Sequence, residues 1–327
     1  MVKYIARRTL GWLLMIFLAT NITYFLASSF LSPRSNYESR TPPPSAQVIN
    51  SALDQYNLND RTPILERWWH WITGILTRWD WGFSPTGVQV NQEVAGRIAV
   101  STQLVLGATL VSILIGVGLG VYAASRQYGV ADRALSGIST ITLNIPAAVA
   151  GLLVASFGIW LNQRLGGTVF FVTGAQSLGV EGFFPVLLDR ARHAILPAAG
   201  LVLISFASYF FLQRSLLLDN INADYVRTAR AKGLTRQQAI RRHGLRTSLI
   251  PVATQVAFSI PLAMTGAVIT ETIFAWQGMG RYFVTSIAFN DVHGTVAVAA
   301  FSALMTAVGA VLSDVIVAAL DPRVRVS

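Results

Sequence analysis

Cysteine is absent from all 327 residues, so disulfides, thiolate metal sites and cysteine nucleophiles are excluded. Lysine is almost absent: Lys3 and Lys232 stand against 23 arginines. Neither lies in a G-x-x-x-x-G-K-[ST] run, because Lys232 is followed by Gly233, so the chain has no P-loop for nucleotide. There is no H-E-x-x-H zinc motif and no G-x-S-x-G nucleophile elbow. The four histidines, His70, His193, His243 and His293, are scattered without metal-ligand spacing and read as ordinary polar loop residues. A membrane-bound enzyme would therefore have neither nucleophile nor metal constellation. Charge is scarce too. Only 12% of residues are charged, against about 25% in soluble domains. With 53% hydrophobic residues and a mean hydropathy of +0.52, the composition is that of an integral membrane protein.

What is present is a set of long apolar runs. A helix crosses the hydrocarbon core with about 20 mostly apolar residues. Six segments qualify, at 9–31, 102–124, 135–161, 194–212, 250–270 and 295–320. The first follows Lys3, Arg7 and Arg8, but it exceeds a signal-peptide core and no clear A-x-A site follows, so it reads as a retained span. Gly116-Val-Gly-Leu-Gly120 offers a smooth face for helix packing. Orientation follows from the positive-inside rule. With the N-terminus inside, the inner segments hold 15 Lys/Arg against four acids, while the outer loops hold 10 of each. Both termini are thus expected in the cytoplasm. The chain divides into the N-terminus with span one (1–31), an extracytoplasmic loop region (32–101), a transmembrane core (102–320) with a cytoplasmic loop at 213–249, and a cytoplasmic tail (321–327).

Several features invite a functional reading. The stretch 64–81 carries Trp68, Trp69, Trp71, Trp79 and Trp81. Tryptophans favour the membrane interface, so an interfacial surface helix is expected, with a docking surface as the alternative. Asp314 lies within span six, where a charge costs about 2.5–3.5 kcal/mol. A helix-packing role is favoured over a proton or ion site. Glu271 closes span five, and the following glycines allow a tight reversal, either a gate-forming loop or a plain turn.

The basic loop is the most informative stretch. Eight of the 25 Lys and Arg residues fall between Arg214 and Arg246. Asp224 suits an N-cap or first turn, Gly233 a C-terminal stop, and Thr235 opens a second helix from Arg236 to about Thr247. Such a helix could act as a lever on a cytoplasmic partner or lie on anionic lipid.

Asp224-Tyr-Val-Arg-Thr-Ala-Arg-Ala-Lys-Gly-Leu234 resembles the signature loop of ABC-importer permeases, in the form of the dipeptide/oligopeptide/nickel branch. Three more blocks resemble it in order. Arg192-His-Ala-Ile-Leu-Pro197 opens span four, Glu271-Thr-Ile-Phe-Ala-Trp-Gln-Gly-Met-Gly-Arg281 follows span five, and Asp321-Pro-Arg-Val-Arg325 forms the tail. The long first outer loop is similar to that of B-type subunits. Three departures stand out. Arg227 and Thr228 leave only Ala229 and Gly233 of the general E-A-A…G core. Leu31-Ser-Pro-Arg-Ser35 replaces a P-G-D-P run, and Gln277 replaces a proline, which would loosen its loop.

The resemblance implies an all-α polytopic permease of the type I importer fold with six transmembrane helices, in a bacterial cytoplasmic membrane. It implies that Asp224, Tyr225, Arg227, Thr228, Ala229, Arg230, Lys232 and Gly233 engage an ATPase. It makes Glu271, Phe274, Trp276, Gly278, Gly280 and Arg281 candidates for an outer gate. The implied partners are a C-type permease subunit, one or two ATPase subunits carrying ATP and Mg, an external substrate-binding protein and membrane lipid. Nucleic acid is not implied, and the chain itself is expected to bind no cofactor or metal. Peptide is the implied substrate, with nickel chelates or glutathione as alternatives within the branch. An ion- or proton-coupled carrier using Asp314 and Glu271 is the alternative outside it.

Overall fold

The computed structural model describes residues 2–320; the expected tail at 321–327, with its D-P-R-x-R run, lies outside them. The chain is 77% helical. Among the described residues, strand-type pairing is limited to a bridge between Phe83 and Gln89. The helices are α1 (Val2–Phe30), α2 (Ser35–Glu38), α3 (Ala46–Gln55), α4 (Ile64–Arg78), α5 (Val90–Ser125), α6 (Val130–Leu143) and α7 (Ala147–Leu165). They continue as α8 (Phe183–Ile221), α9 (Asp224–Ala231), α10 (Arg236–Ala239), α11 (Leu245–Ala263), α12 (Val268–Ile273), α13 (Met279–Ala288) and α14 (Val292–Leu320).

Among the described residues six segments are long and apolar enough to cross a membrane: Arg7–Glu38, Val90–Ser125, Ala147–Leu165, Phe183–Ile221, Arg236–Ile273 and Val292–Val317. Two differ from the apolar runs read in the sequence. The run at 135–161 is interrupted: α6 stops at Leu143, Pro146 caps α7, and α7 alone is the span. Pro146 has no N–H to continue a helix and disfavours the helical region for Ile145. The run at 250–270 is also interrupted, at Gly266, whose φ of +93° no right-handed helix accommodates.

The chain forms two compact units. One comprises residues up to Thr102 with Met264–Thr272 and Gln277–Ala307; the other comprises Gln103–Ala263, Ile273–Trp276 and the chain from Val308. In the first, the region between the first two spans folds into α2–α4, and α4 is the helix expected over 64–81. On α4, Trp68, Trp71, Ile72 and Ile75 follow helical spacing and face α1. Tyr24 stacks on Trp71 at 4.5 Å between ring centroids, and Phe25 on Trp68 at 5.9 Å. The Trp68 indole N–H donates to Asn21 Oδ1 at 2.6 Å. Trp71 is therefore buried in protein rather than anchored in lipid, while Trp69 and Trp79 stay exposed. Arg34, one of the residues standing in for the absent P-G-D-P run, gathers the region. Its guanidinium donates to Asp60 (2.6 Å), Asn50 (2.9 Å) and Asn59 (3.1 Å).

Two histidines are core residues, not loop residues. His293 is buried and lies 2.9 Å from the Phe83 carbonyl through Nδ1; His193 is buried in the second unit. Beside His293, Asp291 caps α14 by accepting the Gly294 N–H at 2.9 Å. Burial lifts the Asp291 carboxyl to about 6, against the pull of that N–H.

In the second unit the smooth face is used as drawn. A Cβ on Gly116 would lie 2.4 Å from the Phe206 carbonyl oxygen, and one on Gly120 2.7 Å from that of Phe210. The backbones of α5 and α8 thus meet directly, whereas a Cβ on Gly118 would meet nothing within 4 Å.

Two outcomes follow for the purified chain in detergent. Gly116→Leu should lower the thermal midpoint by an overpacking cost of about 1–3 kcal/mol, and Gly118→Leu should not; equal effects would show that the glycine face is not the contact. The second concerns pH. Asp291 holds its proton more tightly folded than unfolded. Its contribution is therefore present at low pH and lost as pH rises from about 4 to about 6, a slope worth at most about 3 kcal/mol. Asp291→Asn should remove that slope from the pH dependence of the midpoint.

Candidate functional site

The basic loop folds as a compact set of turns at the C-terminal end of α8. Helix α9 begins at Asp224, with Ala223 as its extended cap residue, so Asp224 occupies the first turn rather than the cap itself. The helix stops through Gly233 at φ +97°. The Gly233 N–H donates to the Arg230 carbonyl at 3.0 Å and the Leu234 N–H to the Ala229 carbonyl at 3.3 Å. This is the paired closure of a Schellman ending, which needs glycine at the left-handed position. Leu234 folds back onto Val226, Ala229 and Ala239, the apolar seat of the helix. The other face is open: Asp224, Tyr225, Arg227, Thr228, Arg230 and Lys232 are all exposed.

Thr235 then opens α10 with a full capping box. Its hydroxyl accepts the Gln238 N–H at 3.3 Å and the Gln238 side chain accepts the Thr235 N–H at 3.0 Å. The second helix does not end near Thr247. A π-turn at Ile240–Gly244 follows α10 and leads without a break into α11. The π-turn turns Ile240 onto Ala124, Leu217 and Ile221. It also brings the Gly244 backbone beside Val226 of α9 and Leu217 of α8. Apolar contacts thus tie α9 to two spanning helices.

Polar contacts reinforce the same end. Arg214 of α8 forks onto Asp132 of α6 through Nε at 2.7 Å and Nη2 at 3.0 Å, and Asp132 also accepts the Tyr128 N–H at 2.9 Å. The guanidinium bonds hold the buried Asp132 carboxyl below its ordinary range. Gln213 of α8 donates to Ser248 of α11 at 2.9 Å, both fully buried. Neither pair was legible in the chain order. The exposed Asp224–Arg227 pair, at 3.8 Å, adds little.

The candidate gate residues fall into two groups. Glu271, Gly278, Gly280 and Arg281 belong to the first unit, Phe274 and Trp276 to the second. Glu271 is fully buried, and its carboxylate accepts the Ser101 hydroxyl at 2.6 Å, the Ala267 N–H at 3.2 Å and the Arg281 N–H at 2.9 Å. The Ser101 oxygen in turn accepts the Met279 N–H at 2.7 Å. Two side chains thus satisfy three backbone donors, one beside the break in span five and two in the first turn of α13. The glycines serve approach rather than reversal. A Cβ on Gly278 would stand 2.3 Å from Ser101 Oγ, and one on Gly280 2.7 Å from the Val268 nitrogen. The left-handed residue of that stretch is Ala275, at φ +51°. Gln277 is exposed and meets Arg97 at 3.4 Å, and the knot beside it is closed, not loosened. A carboxylate so filled with donors is a structural pin, a poor site for carrying an ion. Asp314 is half-buried within α14. Among the described residues no three His, Asp or Glu side chains gather around a common metal position.

The comparisons accord with this geometry. Residues 116–326 match the family described as binding-protein-dependent transport system inner membrane component. Over full length the chain is 40% identical to the oligopeptide transport system permease protein OppB of Mycobacterium tuberculosis, 100% of each chain being covered. It is 32% identical to the oligopeptide transport system permease protein AppB of Bacillus subtilis, over 99% of this chain and 100% of that one. It is 30% identical to OppB of Escherichia coli K12, over the same shares.

Ser101→Ala would strand the buried Met279 N–H and one Glu271 bond. It should cost about 2 kcal/mol in denaturant or thermal unfolding. Thr102→Ala, whose hydroxyl bonds only its own helix at the Ile98 carbonyl, should be near neutral. Equal stability of the two variants would refute the pin.

Proposed function

Because the chain belongs to the family of binding-protein-dependent transport system inner membrane components, we propose that it is the B-type permease subunit of an ATP-driven peptide importer. Its six apolar helices and this family make it a multi-pass protein of the bacterial inner membrane. The observation that carries the coupling mechanism is the build of α9. Its polar face is open, its apolar face is seated, and its end is fixed by Gly233.

In this reading both termini and the loop at 213–249 lie in the cytoplasm, and α9 seats in a groove on an ATPase subunit. ATP and Mg reside there, since this chain has no P-loop. The chain's own residues do mechanical work. Force on α9 passes through Val226, Ala239 and the π-turn to α8 and α11, and through Arg214–Asp132 to α6. Close-packed contacts of this kind transmit small displacements without absorbing them. A related C-type permease subunit completes the pathway, and an external binding protein delivers peptide. The relatives' names support peptide over nickel chelates or glutathione. The filled hydrogen bonding of Glu271 counts against an ion-coupled carrier.

Gly233→Trp tests the lever. A side chain there meets nothing within 4 Å in this chain, so it projects outward. The left-handed φ costs about 1–2 kcal/mol for any non-glycine residue. Gly233→Ala isolates that cost. In vesicles holding the complete transporter, Gly233→Trp should assemble but lose ATP-dependent uptake, while Gly233→Ala keeps most of it. Uptake by Gly233→Trp at the wild-type rate would refute the lever.

A further inference from the structure

The second unit contains a cavity of about 630 Å³ at the N-terminal end of α8, whose lining includes Gln103, Phe183, Val186, Leu187, Arg190 and Trp276. Its wall is apolar apart from Gln103 and Arg190. Arg190 is held, not loose. Its Nε donates to Gln176 Oε1 at 3.0 Å, and among the described residues its two terminal nitrogens have no acceptor.

The loop that carries Gln176 is itself pinned at three points. Ser177 gives its N–H and its hydroxyl to the two oxygens of Asp189, at 2.7 and 2.8 Å. The buried His193 ring meets the Gly174 carbonyl at 3.1 Å and Ser177 Oγ at 3.1 Å, stacked on Phe171 at 4.1 Å. The Gly174 N–H donates to the Phe274 carbonyl at 2.9 Å, two residues before Trp276. Gly174 and Ser177 therefore hold the loop from which Gln176 reaches the guanidinium beside an apolar hollow.

We propose that this cavity is a subsite for the C-terminal residue of the peptide in transit, with the Arg190 fork taking the terminal carboxylate and the apolar wall taking the side chain. The inference rests on the peptide-import reading. A planar fork with two free nitrogens matches a carboxylate in bidentate fashion. Arg190 and Gln176 are both exposed, and their hydrogen bond lowers part of the cost of ordering the guanidinium. The volume suits one or two residues of peptide, not a folded partner. His193 and Asp189 act as positioning residues through the loop and do not touch the peptide.

The test compares uptake of one peptide with a free C-terminus and the same peptide amidated, in vesicles holding the complete transporter and its binding protein. The ratio of the two rates is measured for wild type and for Arg190→Gln, so that any preference of the binding protein cancels. Loss of a charged, oriented hydrogen bond should shrink the ratio about tenfold in Arg190→Gln. Gln176→Ala, which frees the fork without removing it, should shrink it part of the way, by about threefold. An unchanged ratio with peptide uptake intact would overturn the subsite alone. Equal loss of both peptides, or a dependence on anionic lipid instead of on the peptide terminus, would assign Arg190 to the membrane surface and overturn it too. No peptide uptake by the wild type would overturn the import reading and the subsite with it.

Discussion

An eight-residue helix has no stability of its own in water. Everything proposed for α9 depends on the apolar seat formed by Val226, Ala229, Leu234 and Ala239, which offsets the cost of ordering it. That seat leaves only one face free for a partner. It also makes the helix an extension of α8 and α11, because Ile240 and the Gly244 backbone stand between them. Three of the loop's eight basic residues, Arg227, Arg230 and Lys232, are on the open face of α9. They can tune approach to a partner, but a rigid short helix with a fixed end is what converts contact into displacement.

A second constraint comes from the membrane. Backbone donors released by a broken spanning helix must find partners within the protein. At the break Glu271 receives the Ala267 N–H, and with Ser101 it also receives the first-turn Met279 and Arg281 N–H groups of α13. Gly278 is small because Ser101 and Glu271 leave no room for a Cβ, and Gly280 because the Val268 backbone leaves none. This explains how a carboxylate can sit at full burial in an apolar segment without being an ion site. The same rule governs Asp132, whose charge is matched by a fork from Arg214.

Much of this was legible in the chain. Mostly apolar runs marked the spans, apart from the interruptions at Pro146 and Gly266, and Asp224 to Gly233 marked α9 to within a residue or two at each end. Thr235 followed three residues later by Gln238 is a capping box readable by eye. Gly116 and Gly120 announced a close helix contact. What escaped was long-range or depended on tertiary override. The π-turn has no propensity signature; it exists because Ile240 and Gly244 must reach α8. Trp68 and Trp71 looked interfacial, yet α1 supplied Tyr24, Phe25 and Asn21 as partners that only folding brings near. Ser101 is 170 residues from Glu271, and Asp132 is 82 from Arg214, too far for any local pattern to pair them. Two histidines read as loop residues proved to be core, because their carbonyl partners at Phe83 and Gly174 come from other segments.

The central claim is that α9 and the start of α11 move as one body. The absence of cysteine allows spin labels to be placed without removing native thiols. Labels at Arg227→Cys and Arg246→Cys occupy exposed positions on the two elements. The distance between them is measured by pulsed electron resonance in the assembled transporter, nucleotide-free and ATP-bound. A single narrow distribution, unchanged by ATP, is the expected result. A shift of several ångströms or a broad distribution on ATP binding would mean that α9 slips on its seat, and would contradict the account.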